Sequence, residues 1–149
     1  MMRNEQVISQ QMTWWLEREP SLLNKLIGDL QQRFDSLPVT DLLMRECLKF
    51  LFIAGSVKQG EVREKFTPSL IVDEVWHCLI LHTQSYALFC QQFYGDFIHH
   101  HPGGDKQDNL RQLQKTMYAL QQYFGPLDVI VWPTDAVLDI TGQCSSCDT

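Results

Sequence analysis

The sequence predicts an all-α fold, a single bundle of about five helices followed by an extended or short-helical C-terminal segment. Three observations lead there. Apolar residues recur at three- and four-residue steps through most of the chain. Strand-like composition is confined to Val129-Ile130-Val131-Trp132, a short run with no second run to pair with. The 149 residues, 44% hydrophobic and 11% aromatic, suffice for one core and leave too little room for two cofactor-binding lobes.

The elements follow in order. From Glu5 to Glu19, Ile8, Met12, Trp15 and Leu16 share one helical face, and Pro20 marks its end. Ser21 is placed to cap a second helix, where Leu22, Leu23, Leu26, Ile27, Leu30 and Phe34 repeat until Ser36-Leu37-Pro38. Thr40 or Asp41 caps a third, running to about Val57; its apolar residues surround most of the circumference, which predicts a central position. Lys58 to Pro68 reads as a charged linker. One long fourth helix is expected from about Ser69 to Tyr94, stopped by Gly95, with Val75, Leu79, Tyr86, Cys90 and Phe93 on its apolar face and Trp76 and Thr83 flanking. The stretch His99 to Gly104 is a tight connection. A fifth helix, about Asp108 to Phe124, carries Leu110, Leu113, Met117, Leu120 and Phe124 along one stripe and ends at Gly125-Pro126. Residues 1–140 then make one domain, and 141–149 a flexible cysteine-containing tail. Trp14 falls outside the first helix's stripe, which points to a second packing surface or a dimer contact, and the oligomeric state is not set by the sequence.

Charge narrows the partners. With 18 Asp+Glu against 12 Lys+Arg and a net charge of -6, the chain repels phosphate backbones, which argues against a nucleic-acid binder. Met1 to Gln11 has no apolar signal-like core, and no stretch approaches the roughly 18 apolar residues that span a bilayer. The expectation is a cytoplasmic protein with no membrane segment. Five cysteines, three of them (Cys47, Cys78, Cys90) within helical apolar patterns, argue against a secreted disulfide scaffold.

Chemistry-bearing residues crowd between Pro68 and Pro102. Asp73 and His77 are four apart and share a helical face, so the carboxylate either accepts a hydrogen from the imidazole or joins it on a metal. Counted at 100° per residue, His77, Gln84 and Gln91 lie together with Leu81 and Leu88, which suggests that another element covers this side. If the chain folds back after Gly95, His99 and His100 approach His77. Asp73, His77, His99 and His100 would then form a nitrogen and oxygen site suited to zinc, or to iron or manganese with open positions. The competing reading is structural. Asp73 then serves as a cap and dipole partner, and Trp76 and His77 lock the loop to the helix. Tyr86 and Cys90 read as core, Gly95 as a positive-φ helix stop, and Pro102 as a turn. In the tail, Cys144 and Cys147 form a C-x-x-C that serves as half of a zinc site, as a redox pair, or as nothing beyond a solvated tail.

The segments V-D-x-x-W-H (Val72–His77), T-x-x-Y-x-x-F-C (Thr83–Cys90) and G-x-F-I-H-H-x-P (Gly95–Pro102) together resemble the glycine-rich-domain-containing-protein-like family, over about 35 of the 149 residues. The resemblance implies a largely helical module of unassigned activity, to which larger members attach glycine-rich or other domains. This chain has no glycine-rich tract and looks like the module alone. In the family pattern the paired histidines match His99 and His100, with His101 at the variable place.

Three functions compete on these grounds. The first is a small binding or scaffold module for a protein partner, favoured because no nucleophile-base-oxyanion set or phosphate-binding glycine loop is present. The second is a metal-dependent enzyme, a hydrolase or an oxygen-using one, on Asp73, His77, His99 and His100. The third is a redox or zinc-binding tail.

Overall fold

A computed structural model of the chain describes residues 2–30, 37–59, 62–63, 65–101 and 104–133. The architecture is all-α. In chain order the elements are α1 (Met2–Arg18), α2 (Leu22–Leu30), α3 (Leu37–Ser56), β1 (Lys58–Gln59), β2 (Val62–Arg63), α4 (Leu70–Leu81), α5 (Thr83–Tyr94) and α6 (Lys106–Phe124). The charged stretch after α3 makes a two-residue antiparallel pairing, Lys58 with Arg63 and Gln59 with Val62. Among the described residues, no helix is long and apolar enough to cross a membrane. Phe34, Ser36, Pro102, Cys144 and Cys147 lie outside the described residues, as does the segment 134–149.

Helix α3 is the hub. It packs against α1, α2, α4, α5 and α6, and Leu43, Met44, Cys47, Leu48, Phe50, Leu51 and Ile53 are wholly buried. Burying side chains of this size stabilises the fold by about 1.5–3 kcal/mol each, and only a helix apolar on all sides gains that on every flank. α3 starts at Leu37 rather than at a Thr40 or Asp41 cap, so Pro38 falls in the first turn, where its missing amide has no intrahelical bond to lose. Gly55, near its end, admits a close approach: a methyl group there would meet the Tyr94 ring at 2.7 Å and Ile98 Cδ1 at 3.0 Å.

Helix α1 buries Ile8, Met12 and Trp15 as its periodicity predicts. Trp14 has a second packing surface, one of the two alternatives its position allowed. Its ring lies 5.6 Å from Phe89 and 6.1 Å from Phe93 of α5, and its indole N–H donates to Gln92 Oε1 at 3.1 Å. The segment after α6 turns at Asp128 and buries Val131 and Trp132. The Trp132 indole donates to the buried Glu46 Oε1 at 2.8 Å, while Lys49 pairs with the other Glu46 oxygen at 2.9 Å.

The largest departure from the sequence reading is that the expected fourth helix is two helices broken at His82, where φ is -84° and ψ 68°. His82 sends its backbone amide to the Leu79 carbonyl at 3.1 Å. Its ring Nδ1 instead meets the Cys78 carbonyl at 2.8 Å, the acceptor its own amide would take in a continuous helix. The imidazole replaces a main-chain donor, so the Cys78 carbonyl keeps a partner across the break. Counting at 100° per residue therefore fails beyond His82. Leu81 is 78% exposed and Leu88 47%, and no element covers them among the described residues.

Candidate metal centre

The site is built from both ends of the α4–α5 pair. Thr67, just before α4, donates its hydroxyl to Gln112 Oε1 at 2.8 Å and its amide to Thr116 Oγ1 at 3.1 Å, which ties the entry to α6. Ser69 then caps α4, accepting from the Val72 amide at 3.3 Å. With the cap supplied by serine, the Asp73 carboxylate points elsewhere. It approaches His100 Nε2 at 2.6 Å through Oδ1.

His100 arrives from the chain beyond α5. Gly95 ends α5 in the left-handed region, at φ 73°, where a side chain is disfavoured. The following residues alternate: Phe97, His99 and His101 are exposed, whereas Ile98 is 4% exposed and His100 half-buried. Successive side chains of an extended segment face opposite ways, so the buried Ile98 assigns His100 to the inner side and His99 to the outer. Tyr86 donates its phenol to the Ile98 carbonyl at 2.6 Å and accepts from the Trp76 indole at 2.9 Å. Burial, reinforced by Cys90, holds this phenol above its ordinary titration range, so it stays a hydrogen donor.

Three donor atoms converge. His100 Nε2 lies 2.6 Å from Asp73 Oδ1 and 3.0 Å from His77 Nε2, and His77 Nε2 lies 3.8 Å from the same Asp73 oxygen. Asp73, His77 and His100 could hold a metal ion. Bonds of about 2.0–2.2 Å to imidazole nitrogen and carboxylate oxygen place ligand atoms about 3–3.5 Å apart around one ion, a range that these separations bracket. The Asp73 side chain is 9% exposed, His100 15% and His77 40%, so the cluster is closed below and open on the His77 side. The Trp76 ring, 4.5 Å from that of His100, forms part of the closed wall.

The pattern of contacts differs from that of an acid–base relay. In a relay a carboxylate engages one ring nitrogen and leaves the other to face substrate. Here Asp73 and His77 both meet the same nitrogen of His100. One Nε2 carries either a hydrogen or a lone pair, so it cannot serve both neighbours fully. A shared cation would satisfy all three at once.

The other predicted site residues fall as follows. His99 is outside the cluster: its exposed ring packs 4.7 Å from Phe97 and 6.1 Å from His101. Trp76 is buried and Thr83 exposed at the start of α5. Cys90 is a buried thiol. Burial first, then the nearby Cys78 and Asp73, push the Cys47 thiol up, and burial followed by the Asp29 carboxylate pushes Cys78 up to about 12. A thiol raised in this way holds its proton at neutral pH and is a weak nucleophile. Sequence reasoning missed the Cys78 bond to Asp29 Oδ2, at 3.0 Å between α4 and α2. The alternation after Gly95 was the signal that could have told His100 from His99.

With this geometry in place, the comparison with known families is decisive over the core of the chain. A match to UCP032817-like spans residues 16–124, more than half of the sequence, from the end of α1 to the end of α6. The chain belongs to the UCP032817-like family. This corrects the resemblance to the glycine-rich-domain-containing-protein-like family, which rested on about 35 residues that include the Tyr86–Ile98 link and the His100–Asp73 contact. The UCP032817-like match takes in the surrounding helices as well. Its designation names no activity, so function is argued from the site. No curated protein and no solved structure matches the chain.

Proposed function

We propose that this UCP032817-like protein is a metal-binding helical module that holds one divalent transition-metal ion with Asp73 Oδ1, His77 Nε2 and His100 Nε2. The observation that carries the reading is the convergence of Asp73 and His77 on one nitrogen of His100, at 2.6 and 3.0 Å. Two imidazoles and one carboxylate suit zinc, and equally iron or manganese. The mostly buried carboxylate gains a compensating charge, and His77 joins from the exposed side.

Three protein ligands leave coordination positions for water or for a donor atom of something that binds. The open His77 side favours two uses: docking of a protein partner through the metal, and a metal-dependent reaction with a small substrate. The acidic chain makes an anionic nucleic acid a poor partner for either. Elemental analysis and native mass spectrometry of tag-free protein, prepared under reducing and metal-replete conditions, test the proposal. One metal per chain is expected, lost in His77→Ala and His100→Ala with the helical circular dichroism unchanged. Folded protein with no stoichiometric metal would sink it.

A further inference from the structure

Residues 96–101 make no main-chain hydrogen bond to another main-chain group among the described residues. The position of His100 therefore depends on side chains. Ile98 is inserted beside Gly55 of α3, 4% exposed. The Phe97 ring stands edge-on to Tyr86 at 5.2 Å. One hydroxyl connects this segment to the helix that supplies the other two ligands. Trp76, between Asp73 and His77 on α4, donates to the Tyr86 oxygen at 2.9 Å, and Tyr86 donates onward to the Ile98 carbonyl at 2.6 Å. Because the Ile98 carbonyl can only accept, the phenol's single hydrogen is directed at it, while a lone pair takes the indole N–H.

We infer that Tyr86 is the positioning residue of the metal centre, its hydroxyl fixing the 95–101 segment so that His100 reaches Asp73 and His77. The inference rests on the metal reading above. A phenylalanine would fill the same buried volume, so the feature that matters is the hydroxyl, not the ring. Two residues beyond the anchored Ile98 carbonyl, the extended backbone returns a side chain to the same side, and that side chain is His100. Partners that orient a ligand without touching the metal change affinity by about 10–100-fold.

Tyr86→Phe in the full chain tests this with two readouts. Proton NMR of the His100 ring without metal reports its seat against Trp76, whose ring lies 4.5 Å away. Titration with cobalt(II), followed by visible absorption, reports affinity and the ligand set. In Tyr86→Phe the His100 signals should lose their ring-current displacement, cobalt affinity should fall about 10–100-fold, and the spectrum at saturation should change. Leu110→Ala, at a partly buried position of α6, a helix that supplies none of the three ligands, should leave both readouts unaltered, which excludes a general loss of packing. His100 signals and cobalt affinity that stay as in the unsubstituted protein would overturn the inference. If the unsubstituted protein takes up no cobalt, the metal reading fails. The His100 signals then still decide positioning: movement in Tyr86→Phe supports it, and none overturns it. Should Tyr86→Phe not fold, Ile98→Ala loosens the same segment with the phenol intact and carries the same expectations.

Discussion

His77 and His100 meet through their Nε2 atoms at 3.0 Å although 23 residues separate them. Their rings stand 4.4 Å apart and tilted by 57°, so the contact is made edge to edge by nitrogen and not by stacking. Opposed ring nitrogens with a carboxylate beside them are a costly arrangement to bury without a cation or a shared hydrogen. That tension makes the histidines separable by experiment.

The first expectation concerns adjacent histidines. His100→Ala should weaken zinc binding by more than about 100-fold, beyond the range typical of residues that only orient a ligand. His99→Ala, whose ring packs outward on Phe97, should leave affinity within experimental error. Isothermal titration of both variants checks this. Equal losses in the two would show that the segment is held differently.

Gly55→Ala should destabilise the protein by up to about 2 kcal/mol net. Alanine gains up to about 1 kcal/mol of helix propensity, but its methyl would sit 2.7 Å from the Tyr94 ring, and overpacking of this kind costs about 1–3 kcal/mol. Denaturant midpoints at constant slope measure the difference. A stabilised variant would mean that Tyr94 yields freely.

Trp132→Phe should cost about 1.5–3 kcal/mol, the usual worth of a hydrogen bond to a charged group, because Glu46 loses the indole donor at 2.8 Å while staying buried. Glu46→Gln, which keeps an acceptor of similar shape, should cost less. Urea denaturation of the two variants gives the comparison, and a reversed order would contradict the assignment.

Alkaline pH has a defined sign. The folded chain holds the Cys78 thiol up at about 12 against an ordinary 9.0, so above the ordinary value the unfolded chain loses a proton that the folded chain keeps. This contribution to stability is fully present below about pH 9 and is lost as pH rises toward about 12. Comparing the unsubstituted protein with Cys78→Ala by denaturation across that window should show a shallower decline in the variant. Identical slopes would remove Cys78 from the account.

Much of the fold was legible because periodicity reports burial. Ile8, Met12 and Trp15 of α1, the all-round apolar α3 and the Gly95 stop were readable from spacing alone. The break at His82 was not, since it depends on an imidazole replacing a backbone donor, and no apolar pattern encodes that. Leu81 and Leu88 misled for the same reason: the rotation count ran through a helix that stops. At the site, Asp73 and His77 were visible as a four-residue pair, but choosing His100 over His99 needed the burial of Ile98. Trp14 looked like an exposed aromatic because its cover, Phe89 and Phe93, comes from α5, more than seventy residues later.

Crystals grown with zinc and measured across its absorption edge should show one anomalous peak within about 2.0–2.2 Å of Asp73 Oδ1, His77 Nε2 and His100 Nε2. A well-ordered site with no peak, and the three side chains still in mutual contact, would contradict the metal reading.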